Sequence, residues 1–299
     1  MPSDMTILMV VLNAAQYINF ALHSINQQTL KNIQLVIVDG GSIDGTLELV
    51  EQFVFREGID LVLVRHREER NIVHSYNRGL AEATAPYVFQ LCSDDQLYGQ
   101  DWLERSARYL SENSLVDAVQ CRSITVTPSQ AIIACYPPFE FGALGNYDYL
   151  IYRLAFDLVL ADSTVVYKRE VLIKTFPPES SDNCPSAMIP HTVADLNFLK
   201  GNYICHFIDG IGHMALHRSD RRSNINRKVE IEGGRFYKRS RFKNLYYKLI
   251  EKNDYRTKLQ TLILLLLLVL SYFNRNGLFS SVHVRLVKKM LPVLGLPRR

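Results

Sequence analysis

The chain has 299 residues, 47% of them hydrophobic, and sets 34 Lys and Arg against 30 Asp and Glu for a net charge of +4. This apolar content excludes a disordered chain and supplies the core of one large α/β domain with a tail, or of two small domains. The charge is uneven, because the N-terminal two thirds are near neutral while Arg218 to Lys258 is rich in Arg and Lys, a pattern that suits an anionic partner surface.

Cysteine usage narrows the class further. Cys92, Cys121, Cys135, Cys184 and Cys205 are scattered, odd in number, and show neither CxxC nor zinc-like spacing. They read as reduced core thiols. Met1-Pro2-Ser3-Asp4 runs into a strand-like segment without a basic start and a long apolar core, so a cytosolic catalytic domain is expected.

In chain order, Thr6 to Leu12 is a β-rich run, and Asn13-Ala14-Ala15 opens a helical pattern carried by Tyr17, Phe20, Ala21, Ser24 and Ile25. Ile33 to Val38 is a second apolar strand. It ends in Asp39-Gly40-Gly41-Ser42-Ile43-Asp44-Gly45-Thr46, where glycines permit close backbone approach and Ser42 or Asp44 can cap the next helix. Asp39 is expected to stand exposed at that strand end. The loop is neither a P-loop, which needs Gly-Lys-Ser/Thr, nor a GxGxxG dinucleotide fingerprint.

Ile59 to Val64 supplies a third strand and Asn71 to Leu80 a helix. Tyr87 to Leu91 then breaks into Cys92-Ser93-Asp94-Asp95. An apolar run of that kind is a strand buried on both faces of a parallel sheet, where ligands bind at the carboxyl ends. Adjacent carboxylates at such an edge suit Mg2+ or Mn2+ and, through it, a diphosphate; alternatively they are turn residues capping the helix that begins near Trp102. Four β-α steps make a doubly wound, mostly parallel sheet the leading fold.

Beyond that point, Ala118 to Val126 and Ile132 to Tyr136 read as a hairpin. Tyr147, Tyr149, Tyr152 and Phe156 form either an aromatic wall or core. Tyr203 to Ile208 reads as a strand followed by a Gly210-Ile211-Gly212-His213 loop. His213 and His217 lack a third ligand for zinc.

Val38 to Thr46, Asn77-Arg78-Gly79 and Ser93-Asp94-Asp95, in this order and spacing, resemble the nucleotide-sugar domain of family 2 inverting glycosyltransferases with the GT-A fold. The resemblance covers residues 5–125 closely and 126–222 loosely, leaving 223–299 as a basic and apolar helical tail. It implies that Asp39 meets the nucleobase, that Leu12 and Asn13 shape the base and ribose pocket, and that Asp95 with Asp94 holds Mg2+ or Mn2+ on the donor diphosphate. Asn77 and Glu69 fall on the donor side. Relatives carry a different acidic pattern where Glu69, Asn71 and His74 stand here, so the donor contacts there are expected to differ.

Pro190 to Leu199 is similar to the family segment that holds the catalytic base, and Asp195 occupies the matching position, one helical turn after His191. Asp162 and Asp209 are the alternatives. The resemblance implies a nucleotide-sugar donor, a UDP-sugar foremost, and a glycan or lipid-linked acceptor in cell-surface polysaccharide biosynthesis. A catalytically silent sugar-nucleotide binder or scaffold, and a nucleotidyltransferase, are the rival readings.

The tail interleaves Arg235, Lys238, Arg239 and Arg241 with Phe236, Tyr237 and Phe242. An apolar run from Thr261 to Phe273 follows, too short for a span, and then a stripe of Leu278, Val282, Leu286 and Met290. It carries no nucleic-acid signature. Peripheral attachment to the inner face of the cell membrane is expected, with dimerisation or intramolecular packing as the alternatives.

Overall fold

The structure is a computed structural model that describes residues 2–65, 72–127, 129–136, 163–177, 190–201 and 203–216. The tail, Glu69, Asp162 and the Tyr147–Phe156 aromatics lie outside the described residues, as does the Arg218–Arg222 cluster.

The elements run β1 (Met5–Val11), α1 (Ile18–Asn26), β2 (Ile33–Asp39), α2 (Thr46–Gln52), β3 (Ile59–Arg65), α3 (Ile72–Glu82), β4 (Tyr87–Gln90) and β5 (Asp95–Leu97). After these come α4 (Trp102–Glu112), β6 (Ala118–Val126), β7 (Ile132–Tyr136), β8 (Val165–Lys168), α5 (Arg169–Thr175), α6 (Pro190–Lys200) and β9 (Cys205–Leu216). They build one sheet in the order β3-β2-β1-β4-β8-β6-β9-β5, with β7 on β6.

The first four strands in that order are parallel. From β4 onward the sheet turns mixed: β8 is antiparallel to both β4 and β6, β9 is parallel to β6, and β5 is antiparallel to β9. The order β3-β2-β1-β4 places the topological switch between β1 and β4, where the carboxyl ends of two neighbouring strands diverge.

The parallel half forms because its strands are apolar on both faces. Every residue of β2 is buried, and Ile7, Leu8 and Met9 of β1 are 0% exposed. Each such side chain contributes roughly 1.5–3 kcal/mol on leaving water. Buried Thr6 and Gln34 are paired: the Thr6 hydroxyl donates to Gln34 Oε1 at 2.6 Å, and Gln34 Nε2 donates to Glu82 O, tying β1 and β2 to the end of α3.

The Asn77-Arg78-Gly79 motif has a packing role in α3. A Cβ on Gly79 would stand 2.2 Å from Leu8 Cδ1 and 3.0 Å from Val38 Cγ2, so glycine alone lets this helix lie so close to β1 and β2.

Three sequence expectations need correction. The first helix begins at Ile18, because Asn13 adopts φ 52° and its side chain bonds elsewhere. Gly210 to His213 is not a loop: β9 runs through it to Leu216, with an irregular register around Asp209 and with Gly210 at φ 116°. Asp94 and Asp95 do not cap α4, because β5 intervenes and the residue before Trp102 is Asp101.

Candidate active site

The site grows from the carboxyl ends of β1, β2 and β4. After β1, Asn13 turns into the left-handed region, and its backbone N–H donates to Ser42 Oγ at 2.9 Å while its Oδ1 accepts from Ile43 N–H at 2.9 Å. Ala14 N–H donates to Thr46 Oγ1 and Ala15 N–H to Asp44 Oδ2. The ends of β1 and β2 are thus stitched into one rim, with Leu12 44% exposed on it.

Asp44 sits at the centre of that seam. Burial alone would raise its pKa, but hydrogen bonds from the Thr46 hydroxyl and from the Ala15 and Thr46 N–H groups hold its carboxyl below the usual carboxylate range. Asp44, one residue ahead of the N-terminal Gly45, satisfies the first N–H of α2, whereas Ser42 serves Asn13.

Asp39 departs from expectation: it is 1% exposed. Its carboxylate folds back on its own loop, where Oδ2 accepts from Gly41 and Ser42 N–H at 2.9 and 3.0 Å and Oδ1 accepts from Ser42 N–H at 3.2 Å. A carboxylate has about four acceptor sites, so roughly one is left for a ligand N–H.

On the other side of the switch, the chain turns sharply after β4. Asp95 N–H donates to Cys92 O, while Ser163, at φ 61°, donates its N–H to Gln90 O and accepts Cys92 N–H on Oγ. The turn brings the Cys92 Sγ and the Asp94 and Asp95 carboxylates within 4.8 Å of one another. Asp95 is buried, with side chain 9% exposed, and its Oδ1 has no hydrogen-bond partner.

His213, set aside on sequence for want of a third zinc ligand, stands beside Asp95 in the fold. In the β5–β9 ladder it stands opposite Leu97 and diagonal to Asp95, and its Nε2 lies 3.0 Å from Asp95 Oδ2. That distance suits an ion pair, yet the contact lacks hydrogen-bond alignment, so the capacity of the two groups is not used up on each other. On its far side Nδ1 is 2.7 Å from Ser123 Oγ. In the tautomer whose Nδ1–H donates to Ser123, the Nε2 lone pair faces a carboxylate, an arrangement that a cation relieves. The usable sequence signal was glycine inside an otherwise strand-like run, which marks close backbone approach rather than a turn. A Cβ on Gly212 would lie 2.6 Å from the Trp102 ring.

These donors fit a divalent cation, because an orphaned buried carboxylate oxygen is costly unless a ligand completes it. Asp94 and Asp95 supply hard oxygens suited to Mg2+ or Mn2+, and His213 stands beside Asp95.

Residues 6–174 match the family model described as glycosyl transferase family 2. The chain belongs to this family. A PGL/p-HBAD biosynthesis glycosyltransferase of Mycobacterium bovis is 36% identical over 115 residues, 38% of this chain and 44% of that protein, so the match spans less than half of the relative. A teichoic acid poly(glycerol phosphate) polymerase of Staphylococcus epidermidis is 31% identical over 95 residues, 32% of this chain and 13% of that protein. Among solved structures, residues 1–349 of S. aureus TarS in complex with UDP-GlcNAc share the fold with a TM-score of 0.62 at 20% identity, over 97% of this chain and 79% of that one. A mannosyltransferase of Pyrobaculum calidifontis in complex with GDP-Man and Mn2+ gives 0.53 at 18% identity, over 99% and 79%. The fold is therefore the GT-A type.

Asn77 Nδ2 donates to Val73 O and Pro177 O, both at 2.9 Å, and so ties α3 to the end of α5. Asp195 lies in α6, which packs on α5, and is 1% exposed. Asp209 is exposed in the irregular part of β9, where its backbone carbonyl accepts from Arg105.

Proposed function

We propose that this family member transfers a sugar from a nucleoside diphosphate donor, a UDP-sugar foremost, to a hydroxyl of a glycan or lipid-linked acceptor. The transfer is metal-assisted, inverts the anomeric centre, and belongs to cell-surface glycan biosynthesis. The observation that carries the reading is Asp95, a buried carboxylate with an unpartnered oxygen beside His213 at the β1/β4 switch. Solved neighbours with UDP-GlcNAc, UDP, and GDP-Man with Mn2+ support a nucleotide-sugar donor.

The rim formed by Leu12, Asn13 and the Asp39–Thr46 loop receives the base and ribose, and the last acceptor site of Asp39 takes a base N–H. Asp95, Asp94 and His213 would hold Mg2+ or Mn2+. That cation would offset the charge on the leaving diphosphate. Asp195 takes the proton of the attacking acceptor hydroxyl as the new C–O bond forms on the face away from the diphosphate. Direct displacement is the simpler path, since the sequence carries no covalent-nucleophile signature. Glu69, in the segment that departs from the family pattern, is assigned to the donor side.

The test is a panel of nucleotide sugars, with and without Mn2+, on wild type and Asp95→Asn. One donor should yield nucleoside diphosphate with Mn2+, and the variant should lose the metal dependence of binding. Pyrophosphate release would instead identify a nucleotidyltransferase, and binding without turnover a silent binder.

The tail is assigned to peripheral attachment at an anionic bilayer, each Lys or Arg near the surface contributing about 1 kcal/mol. Full-length protein should sediment with anionic liposomes and resist complete release by salt. A chain that ignores liposomes overturns the assignment.

A further inference from the structure

Cys92 has no part in the sugar-transfer scheme, yet its Sγ is within 4.8 Å of the Asp94 and Asp95 carboxylates. Among the described residues, this is the one such group of donor atoms. The placement is built into the backbone: Ser163 Oγ fixes Cys92 N–H at 3.0 Å, and the Cys92 carbonyl accepts Asp95 N–H across the turn at 3.1 Å. The thiol is half-buried and therefore reachable. Asp95, nine-tenths buried with Oδ1 unpartnered, faces the same cluster, and His213 stands 3.0 Å behind it.

We propose that Cys92 converts the carboxylate pair into a site for thiophilic divalent cations, Zn2+ or Cd2+, which compete there with the hard cation of the transfer reaction. The proposal rests on that reading for the identity of the competitor. Mg2+ and Mn2+ gain little from sulfur, whereas a thiolate with carboxylate donors is a set that selects zinc-like ions, which also bind more tightly than Mn2+ across nitrogen, oxygen and sulfur ligands. Zn–S and Zn–O bonds of about 2.3 and 2.1 Å put tetrahedral donors roughly 3.5 Å apart, so the cluster must close by about 1 Å. Cys92 and Asp94 are partly exposed, and the closure falls to their side chains. As the sulfur–metal bond forms, the thiol proton passes to solvent, and no oxidation state changes.

The other thiols among the described residues are poor alternatives. Cys121 and Cys205 are buried, with burial pushing the Cys121 thiol up to about 12, and Cys135 Sγ lies 3.1 Å from Arg122 Nη2, a cation's neighbourhood.

The experiment titrates the full chain with Cd2+ and follows the ultraviolet thiolate-to-cadmium charge-transfer band. Cys92→Ser should remove the high-affinity phase, and Asp95→Asn should weaken it by about 10–100-fold, the scale of a lost metal-site partner. Cys135→Ser should leave it in place, and Mn2+ in excess should shift the wild-type titration to higher Cd2+. A band of unchanged affinity in Cys92→Ser or Asp95→Asn overturns the site. Indifference to Mn2+ in the wild type overturns the competition and needs no variant. Absence of metal-dependent nucleotide binding in the wild type would count against the transfer reading while the cadmium result stands.

Discussion

Gly212→Ala tests how the proposed metal site is assembled. The added Cβ would stand 2.6 Å from two atoms of the Trp102 ring and 2.7 Å from Cys121 Sγ. Comfortable carbon contacts lie at about 3.5–4.0 Å, so roughly 1 Å is missing. Trp102 is 0% and Cys121 1% exposed, and neither can swing into solvent. Overpacking of this kind costs about 1–3 kcal/mol, against a gain of about 0.5–1 kcal/mol for replacing a strand glycine. The net expectation is a loss of about 1–2 kcal/mol. The strain is relieved by displacing β9, and the Gly212 carbonyl also accepts Tyr98 N–H, so β5 moves with it. His213 then leaves its place beside Asp95, and metal-dependent nucleotide affinity should fall by about 10-fold or more. Denaturant unfolding and calorimetric titration of UDP with and without Mn2+ measure both effects. Wild-type stability together with wild-type metal dependence would refute the claim that Gly212 sets the register of the site.

Asp195→Asn, nearly isosteric in its buried position, should leave UDP affinity intact and lower transfer by ~10²-fold or more; transfer at the wild-type rate would move the base elsewhere. Asp44 has a folded pKa below its unfolded value, so its contribution to stability is fully present above the unfolded value, near 3.9, and is lost as pH falls through the folded one. The stability difference between wild type and Asp44→Asn should therefore be constant near neutrality and shrink in acid, and a difference independent of pH in chemical unfolding would contradict this.

The parallel half of the sheet was legible because its strands are near-continuous apolar runs, and Ala118 to Val126 with Ile132 to Tyr136 matched the observed hairpin strands residue for residue. β5 was not, since Asp95-Gln96-Leu97 is too short to show any periodicity and exists through its pairing with β9. The far half of β9 was hidden by Gly210 and Gly212, which look like turn residues in one dimension and prove to be a left-handed kink and a packing vacancy for Trp102. The same error hid the approach of His213 to Asp95. Asp39 was placed correctly in sequence but not in environment, because hydrogen bonds to the N–H groups of Gly41 and Ser42 depend on loop conformation, which glycine leaves open.

The two halves of the site are held by different physics. The proposed nucleotide rim joins two loops: Asn13 with Ser42 and Ile43, and Ala15 with Asp44, bond across about thirty positions of sequence through exposed polar groups, while Thr46 is buried beneath them. Solvent, pH and loop substitution can therefore adjust it without disturbing the sheet. The cation side depends on Asp95 and His213, far apart in sequence and joined by β5 pairing with β9 and β9 with β6. A one-residue slip in either ladder would turn His213 to the opposite face, so this half is present only when the mixed part of the sheet is in register. Loop substitution can thus change the rim, whereas the Asp95–His213 pair at the end of β4 is fixed by the fold.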